Sequence, residues 1–178
     1  MFEACKRGDA ETVDSYMKNR CDSVMGRVFK DKWLQVSDHK ADYPVHVAST
    51  FGHDNVLTVL QRHGYDMNSR NSHTGSTPLH MAAVNGHRRT AAWCLAHGAD
   101  LNALDYSGRS PLHCAVRAGH YDVVVLLVEN GADVNQILGN NNAFELTTNP
   151  EIRKYLGQLE HFKHRPYSQT PSDFPSLS

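Results

Sequence analysis

One four-residue phrase returns along this chain of 178 residues at a nearly constant interval. Thr-Pro-Leu-His occupies 77–80, and Ser-Pro-Leu-His repeats it at 110–113, 33 residues later. A weaker copy, Tyr-Pro-Val-His, occupies 43–46, which is 34 residues before the first. A period near 33 predicts stacked supersecondary units, because one unit of that size cannot bury its own apolar face.

Two further signals keep the same register. A Gly-His pair follows each phrase, at 52–53, 86–87 and 119–120, and a Gly-x-Asp-x-Asn turn ends each unit, at 64–68, 98–102 and 131–135. Thr77 and Ser110 can cap a helix N-terminus, and a proline suits the next position, where no backbone N–H is needed. Apolar residues in helical spacing follow each Gly-His pair, so the period predicts helix–turn–helix units.

These motifs resemble the ankyrin-repeat family over about residues 1 to 157. The resemblance implies an all-α solenoid in which each repeat has an inner helix, an outer helix and a β-hairpin loop. It also implies that the chain binds proteins and catalyses nothing. We expect one ankyrin-repeat domain at 1–164, with three full repeats at about 38–71, 72–104 and 105–137.

Both ends depart from the pattern and are interpreted as caps. Residues 1–20 lack the phrase, and their outer apolar face is predicted to comprise Thr12, Val13, Tyr16 and Met17. In the degenerate unit at 138–164, Ala143-Phe-Glu-Leu146 replaces the phrase and Asn149-Pro150 begins a last helix. Residues 165–178, which are rich in Pro and Ser, are expected to form a flexible tail.

An insertion precedes the first full repeat. Arg20 to Asp38 spans 18 positions where Gly98 to Asp105 spans 7, so 11 residues are added where a hairpin tip belongs. Extra length at a loop tip often serves binding. Two interpretations of the segment 21–37 remain open: its apolar residues, including Trp33, fold back onto the repeats, or they contact a partner.

The composition argues against several classes of function. Eighteen basic and nineteen acidic residues give a net charge of −1, with no basic field for nucleic acid. No apolar run approaches the roughly 20 residues that span a bilayer, so no membrane insertion is expected. Four cysteines without CxxC or framework spacing favour reduced thiols, and therefore the cytosol or nucleus.

The sequence offers no chemistry beyond its repeats. It contains no glycine-rich phosphate loop, GxSxG or HExxH, so we expect no enzyme, no catalytic residue and no cofactor. Most of the twelve histidines stand at repeat positions and are expected to tie turns together through hydrogen bonds. A zinc site at His161 and His164, one helical turn apart, is the less favoured reading, and no metal is expected.

The expected partner is another protein or a peptide segment that lies on the concave face. The candidate contacts combine variable inner-helix positions with apolar tips: Trp33, Phe51, Met81, Asn85, Leu104, Tyr106, Arg117, Ile137 and Leu138. The alternative is that Leu104, Ile137 and Leu138 pack against neighbouring hairpins. We expect a protein that is monomeric on its own and serves as an adaptor or scaffold. A regulatory ankyrin domain of a larger enzyme or channel, and a structural spacer, remain alternatives.

The resemblance also implies a modification. Asparagines in the turns of ankyrin repeats can be hydroxylated, and the segment from Leu127 to Asn135 matches the preferred pattern. The segment from Leu60 to Asn68 is similar, with Met67 in place of valine.

Overall fold

The computed structural model describes residues 1–21, 44–139 and 142–159. The predicted insert at 21–37, with Trp33, falls almost wholly on residues 22–43. The predicted tail at 165–178 and the histidine pair at 161 and 164 fall on residues 160–178. These predictions therefore lie outside the described residues.

Ten helices in the described residues form five consecutive pairs. They are α1 (Phe2–Arg7) with α2 (Ala10–Cys21), α3 (Pro44–Thr50) with α4 (Asp54–Arg62), α5 (Pro78–Val84) with α6 (Arg88–Ala96), α7 (Pro111–Ala118) with α8 (Tyr121–Glu129), and α9 (Ala143–Leu146) with α10 (Pro150–Gln158). The first helices of successive pairs contact one another, and so do the second helices. The molecule thus has an inner row, α1, α3, α5, α7 and α9, and an outer row, which confirms the predicted all-α solenoid.

The repeated phrase starts the inner helices through a reciprocal cap. The backbone N–H groups of Thr77 and Ser110 donate to Nδ1 of His80 and His113, at 3.1 and 3.2 Å. In the last pair, Asn142 accepts a bond from the Glu145 N–H, and Glu145 accepts one from the Asn142 N–H. Different residue types therefore satisfy the same otherwise unpaired backbone groups, and α9 starts where the degenerate phrase predicted a helix.

One apolar core runs along the stack between the two rows. Leu57, Leu79, Leu112, Leu127 and Ile152, from five different helices, are at most 1% exposed. Each such side chain stabilises the fold by about 1.5–3 kcal/mol relative to full exposure. Since each helix contacts mainly its own pair and the adjacent ones, this stability consists largely of contacts between neighbouring repeats.

The predicted outer face of the first cap is partly wrong. Val13 is fully buried, but Tyr16 is 37% exposed and Thr12 is exposed. Thr12 instead belongs to the start of α2, where its N–H and hydroxyl both donate to the Asp9 carboxylate. In the described residues α2 has an outer-row neighbour, α4, on one side alone, which explains why less of its surface is buried.

The loops between repeats are turns rather than ladders of strands. In the parts of the chain that the structure describes, no β-strand is present. The loop before α5 closes through the Asn71 N–H to the Ser76 carbonyl, and the loop before α7 through the Asp105 N–H to the Arg109 carbonyl, both at 2.9 Å. We call residues 69–76, 103–109 and 136–139 of the loops between repeats the tips.

Candidate functional site

In three repeats, a histidine at the turn between the inner and outer helices bonds to the corresponding turn of the preceding repeat. The ring of His120 lies so close to Gly86 that a Cβ there would be 2.6 Å from Nδ1. Its Nε2 donates to the Val84 carbonyl at 3.0 Å. The same contact joins His87 to the turn at Gly52 and His53 to the turn at Gly8. These bonds confirm the predicted role of the Gly-His histidines.

The histidines of the repeated phrase form a second, buried series. His80 and His113 each donate from Nε2 to a carbonyl of the next tip, Arg109 at 2.9 Å and Gln136 at 3.0 Å. Burial lowers the pKa of both histidines, because a charged imidazole would lose its hydration. Since Nδ1 accepts the capping N–H, both rings are neutral and carry their proton on Nε2. These side chains position the tips.

The turn asparagines form a third series along the outer side. The Asn68 side chain donates to the Gly98 carbonyl at 2.8 Å and accepts from the Asp100 N–H at 2.7 Å. Asn102 accepts from the Asp133 N–H at 3.1 Å. Asn135 stands at the last of these turns, and its side-chain amide makes no hydrogen bond within the described residues.

The tips are closed by internal hydrogen bonds and contact one another. Asp105 is 5% exposed and accepts bonds from the Ser107 N–H, the Arg109 N–H and Arg109 Nε. The Tyr106 N–H donates to the Thr74 carbonyl of the preceding tip at 2.8 Å. The Tyr106 ring lies directly on Gly75, where a Cβ would be 2.5 Å from Cδ1. Backbone and ring together hold this tyrosine in one place.

Eight of the nine predicted contact residues fall in the described part of the chain. Tyr106 is 64% exposed, Ile137 56%, Phe51 47% and Leu104 38%, and Asn85 and Arg117 are also exposed. Met81 and Leu138 are half-buried. Leu138 lies near the preceding tip, with Cδ1 3.8 Å from the position of a Cβ on Gly108.

Repeat-equivalent positions arrange these residues in columns. Arg70, Leu104 and Ile137 are equivalent in three successive tips, and Thr50, Val84 and Arg117 are equivalent on α3, α5 and α7. Val84 is 43% exposed. We define the inner surface as Phe51, Arg70, Met81, Val84, Asn85, Leu104, Tyr106, Arg117, Ile137 and Leu138.

Arg70 was not among the contact residues predicted from the sequence. The signal was present, since Arg70 precedes Leu104 by 34 residues and Leu104 precedes Ile137 by 33. Two other variable inner-helix positions, Val47 and Cys114, are each 8% exposed and offer little to a partner.

The side chains that could bind a metal or act as nucleophiles do not form a site in the residues that the structure describes. In the residues that the structure describes, no three or more His, Cys, Asp or Glu side chains are grouped as a metal site would require. Cys5, Cys94 and Cys114 are buried, unpaired thiols, and burial raises their pKa to about 11, 12 and 11. Such thiols are poor nucleophiles. No described helix is both long enough and apolar enough to cross a bilayer.

The fold and the inter-repeat bonds define a solenoid of helix–turn–helix repeats. A family model described as ankyrin repeats in three copies matches residues 1–87 and 45–137. The chain belongs to the ankyrin-repeat family. A comparison with curated proteins found no match. Repeats of this family are generally protein–protein interaction modules and are typically non-catalytic.

Proposed function

We propose that this chain is a non-catalytic adaptor or scaffold that binds a partner protein or peptide segment on its inner surface. One observation carries the proposal. Eight large hydrophobic side chains are exposed among the described residues, and five of them, Phe51, Val84, Leu104, Tyr106 and Ile137, belong to this surface. Exposed apolar side chains gathered on one face are typical of interaction sites.

Tyr106 is the best candidate for the anchor of the interface. One face of its ring rests on Gly75, its backbone is bonded to Thr74, and most of its side chain is still exposed. An aromatic side chain that is already ordered loses little conformational entropy on binding. Such residues often carry much of the binding energy, so truncation should cost about 2 kcal/mol or more.

The test compares two tyrosines. Proteins captured from cell extract by the wild-type chain should be lost with Tyr106→Ala but retained with Tyr121→Ala. Tyr121 is a suitable control because it is 37% exposed and lies on the outer helix α8. Equal loss with both variants, or with neither, would refute binding at the inner surface.

We also propose a reducing compartment, the cytosol or nucleus, and a monomer when no partner is bound. Three buried, unpaired thiols support the first part. An additional band on non-reducing gels, absent after reduction, would contradict it. Light scattering at several concentrations tests the second part, and a mass that doubles with concentration would contradict it.

We further propose Asn135, rather than Asn68, as the site of asparagine hydroxylation. Asn68 uses both side-chain groups in bonds between repeats, whereas the Asn135 amide makes no such bond within the described residues. After incubation with an asparaginyl hydroxylase, the peptide containing Asn135 should gain one oxygen in mass. Modification of Asn68 alone would contradict the assignment.

A further inference from the structure

In residues 44–139, the exposed carboxylates all lie on the outer side of the stack. Except for Asp105, every carboxylate in this range lies on an outer helix or in the turn after it: Asp54, Asp66, Asp100, Asp122, Glu129 and Asp133. Asp105 is buried and paired with Arg109 at 2.8 Å. The inner helices and tips of this range therefore expose no carboxylate.

Two arginines remain on the inner surface without a counter-charge. Arg70 and Arg117 are exposed, and neither forms an ion pair within the described residues. Arg70 begins the tip column that continues with Leu104 and Ile137. Arg117 ends the inner-helix column that passes through Val84. The apolar side chains thus lie between two cations.

We propose that the partner presents a segment in which apolar side chains, some of them aromatic, are flanked by Asp or Glu. This inference rests on the proposed function and adds the chemistry of the partner. A carboxylate can accept two parallel hydrogen bonds from a guanidinium group, which gives geometry as well as attraction. A segment rich in Lys or Arg would meet Arg70 and Arg117 on a face where residues 44–139 expose no carboxylate, so like-charge repulsion disfavours it.

The experiment starts from the full chain and a displayed library of random peptides. Peptides enriched by the wild-type protein are synthesised with a fluorescent label, and their Kd values are measured by anisotropy. The test variant is Arg70→Glu with Arg117→Glu. The matched control is Arg62→Glu with Arg88→Glu, because these arginines are exposed on the outer row without an ion pair in the described residues.

The enriched peptides should carry Asp or Glu beside apolar residues. The test variant should weaken their binding by about tenfold or more, because each exposed ion pair contributes up to about fivefold and reversal adds repulsion. The control should change Kd by less than about twofold. Peptides in which Lys replaces the acidic residues should bind the test variant better than the wild type.

The outcomes separate this inference from the proposed function. Some enriched peptides could lose binding with Tyr106→Ala and yet be neutral or basic, or be unaffected by the charge reversal. Such peptides would refute the acidic character of the partner segment but not binding at the inner surface. Peptides that bind Tyr106→Ala and the test variant as well as the wild type overturn both. A library that yields no enriched peptide also counts against both.

Discussion

Replacing Gly86 with alanine should uncouple two repeats at one defined contact. Gly86 has a φ of +74°, a region that L side chains rarely adopt. A Cβ there would lie 2.6 Å from His120 Nδ1, so the ring must move and give up its 3.0 Å bond to the Val84 carbonyl. Gly98 provides a matched control, since its φ is +83° but a Cβ would meet nothing within 4 Å.

The expected magnitudes follow from these differences. Left-handed backbone costs an L residue about 1–2 kcal/mol, so Gly98→Ala should destabilise the protein by about that amount. Gly86→Ala adds the steric displacement and the lost hydrogen bond, for a total of about 2–4 kcal/mol. If His120 is responsible for the excess, Gly86→Ala should cost only about 1–2 kcal/mol in a His120→Ala background.

Urea denaturation of the wild type, the three single variants and the two double variants, Gly86→Ala/His120→Ala and Gly98→Ala/His120→Ala, gives the required free energies of unfolding. The cycle should show a coupling between Gly86 and His120, and none between Gly98 and His120. Equal destabilisation by both glycine substitutions, with no coupling to His120, would refute the account of the turn.

Three further predictions concern the core and its buried groups. Leu79→Ala should destabilise the protein by about 2–5 kcal/mol, because it leaves a cavity in the core. Leu104→Ala should destabilise it by much less, because Leu104 is 38% exposed. Equal urea midpoints for the two variants would contradict this. Burial lowers the pKa of His80 and His113, so protonation favours the unfolded chain. The free energy of unfolding should therefore fall as the pH drops below the unfolded-state pKa near 6.5, by up to about 1.4 kcal/mol per pH unit for each histidine; stability that rises with acidification there would contradict it. With Cys94 as the only cysteine, its thiol, whose pKa burial raises to about 12, should react with a thiol reagent only when the chain unfolds; rapid reaction in the native state would contradict its burial.

Local signals made the helices and their starts predictable. A capping hydroxyl, a proline and a histidine lie within four residues at 77–80 and 110–113, so their geometry depends little on distant parts of the chain. The linking role of the Gly-His histidines was predicted from their position in the repeat. Their acceptors could not be assigned individually, because His120 bonds to a carbonyl 36 residues away.

Exposure was less predictable, because it depends on the next repeat. The sequence placed Met81 and Leu138 among the contacts, yet both are half-buried. The contact of the Tyr106 ring with Gly75 depends on how two hydrogen-bonded turns of different length, 71–76 and 105–109, pack against each other. Which inner-side arginines lack an ion pair could not be predicted either, because it depends on which of them reaches Asp105, and only Arg109 does.

Hydrogen–deuterium exchange of the chain with and without a bound partner or selected peptide tests the central claim most directly. Binding at the inner surface should slow exchange at the C-terminal ends of α3 and α5 and at the tips around Tyr106 and Ile137. Exchange in the outer helices α4, α6 and α8 should change little. Protection confined to those outer helices, with the tips unaffected, would contradict the claim.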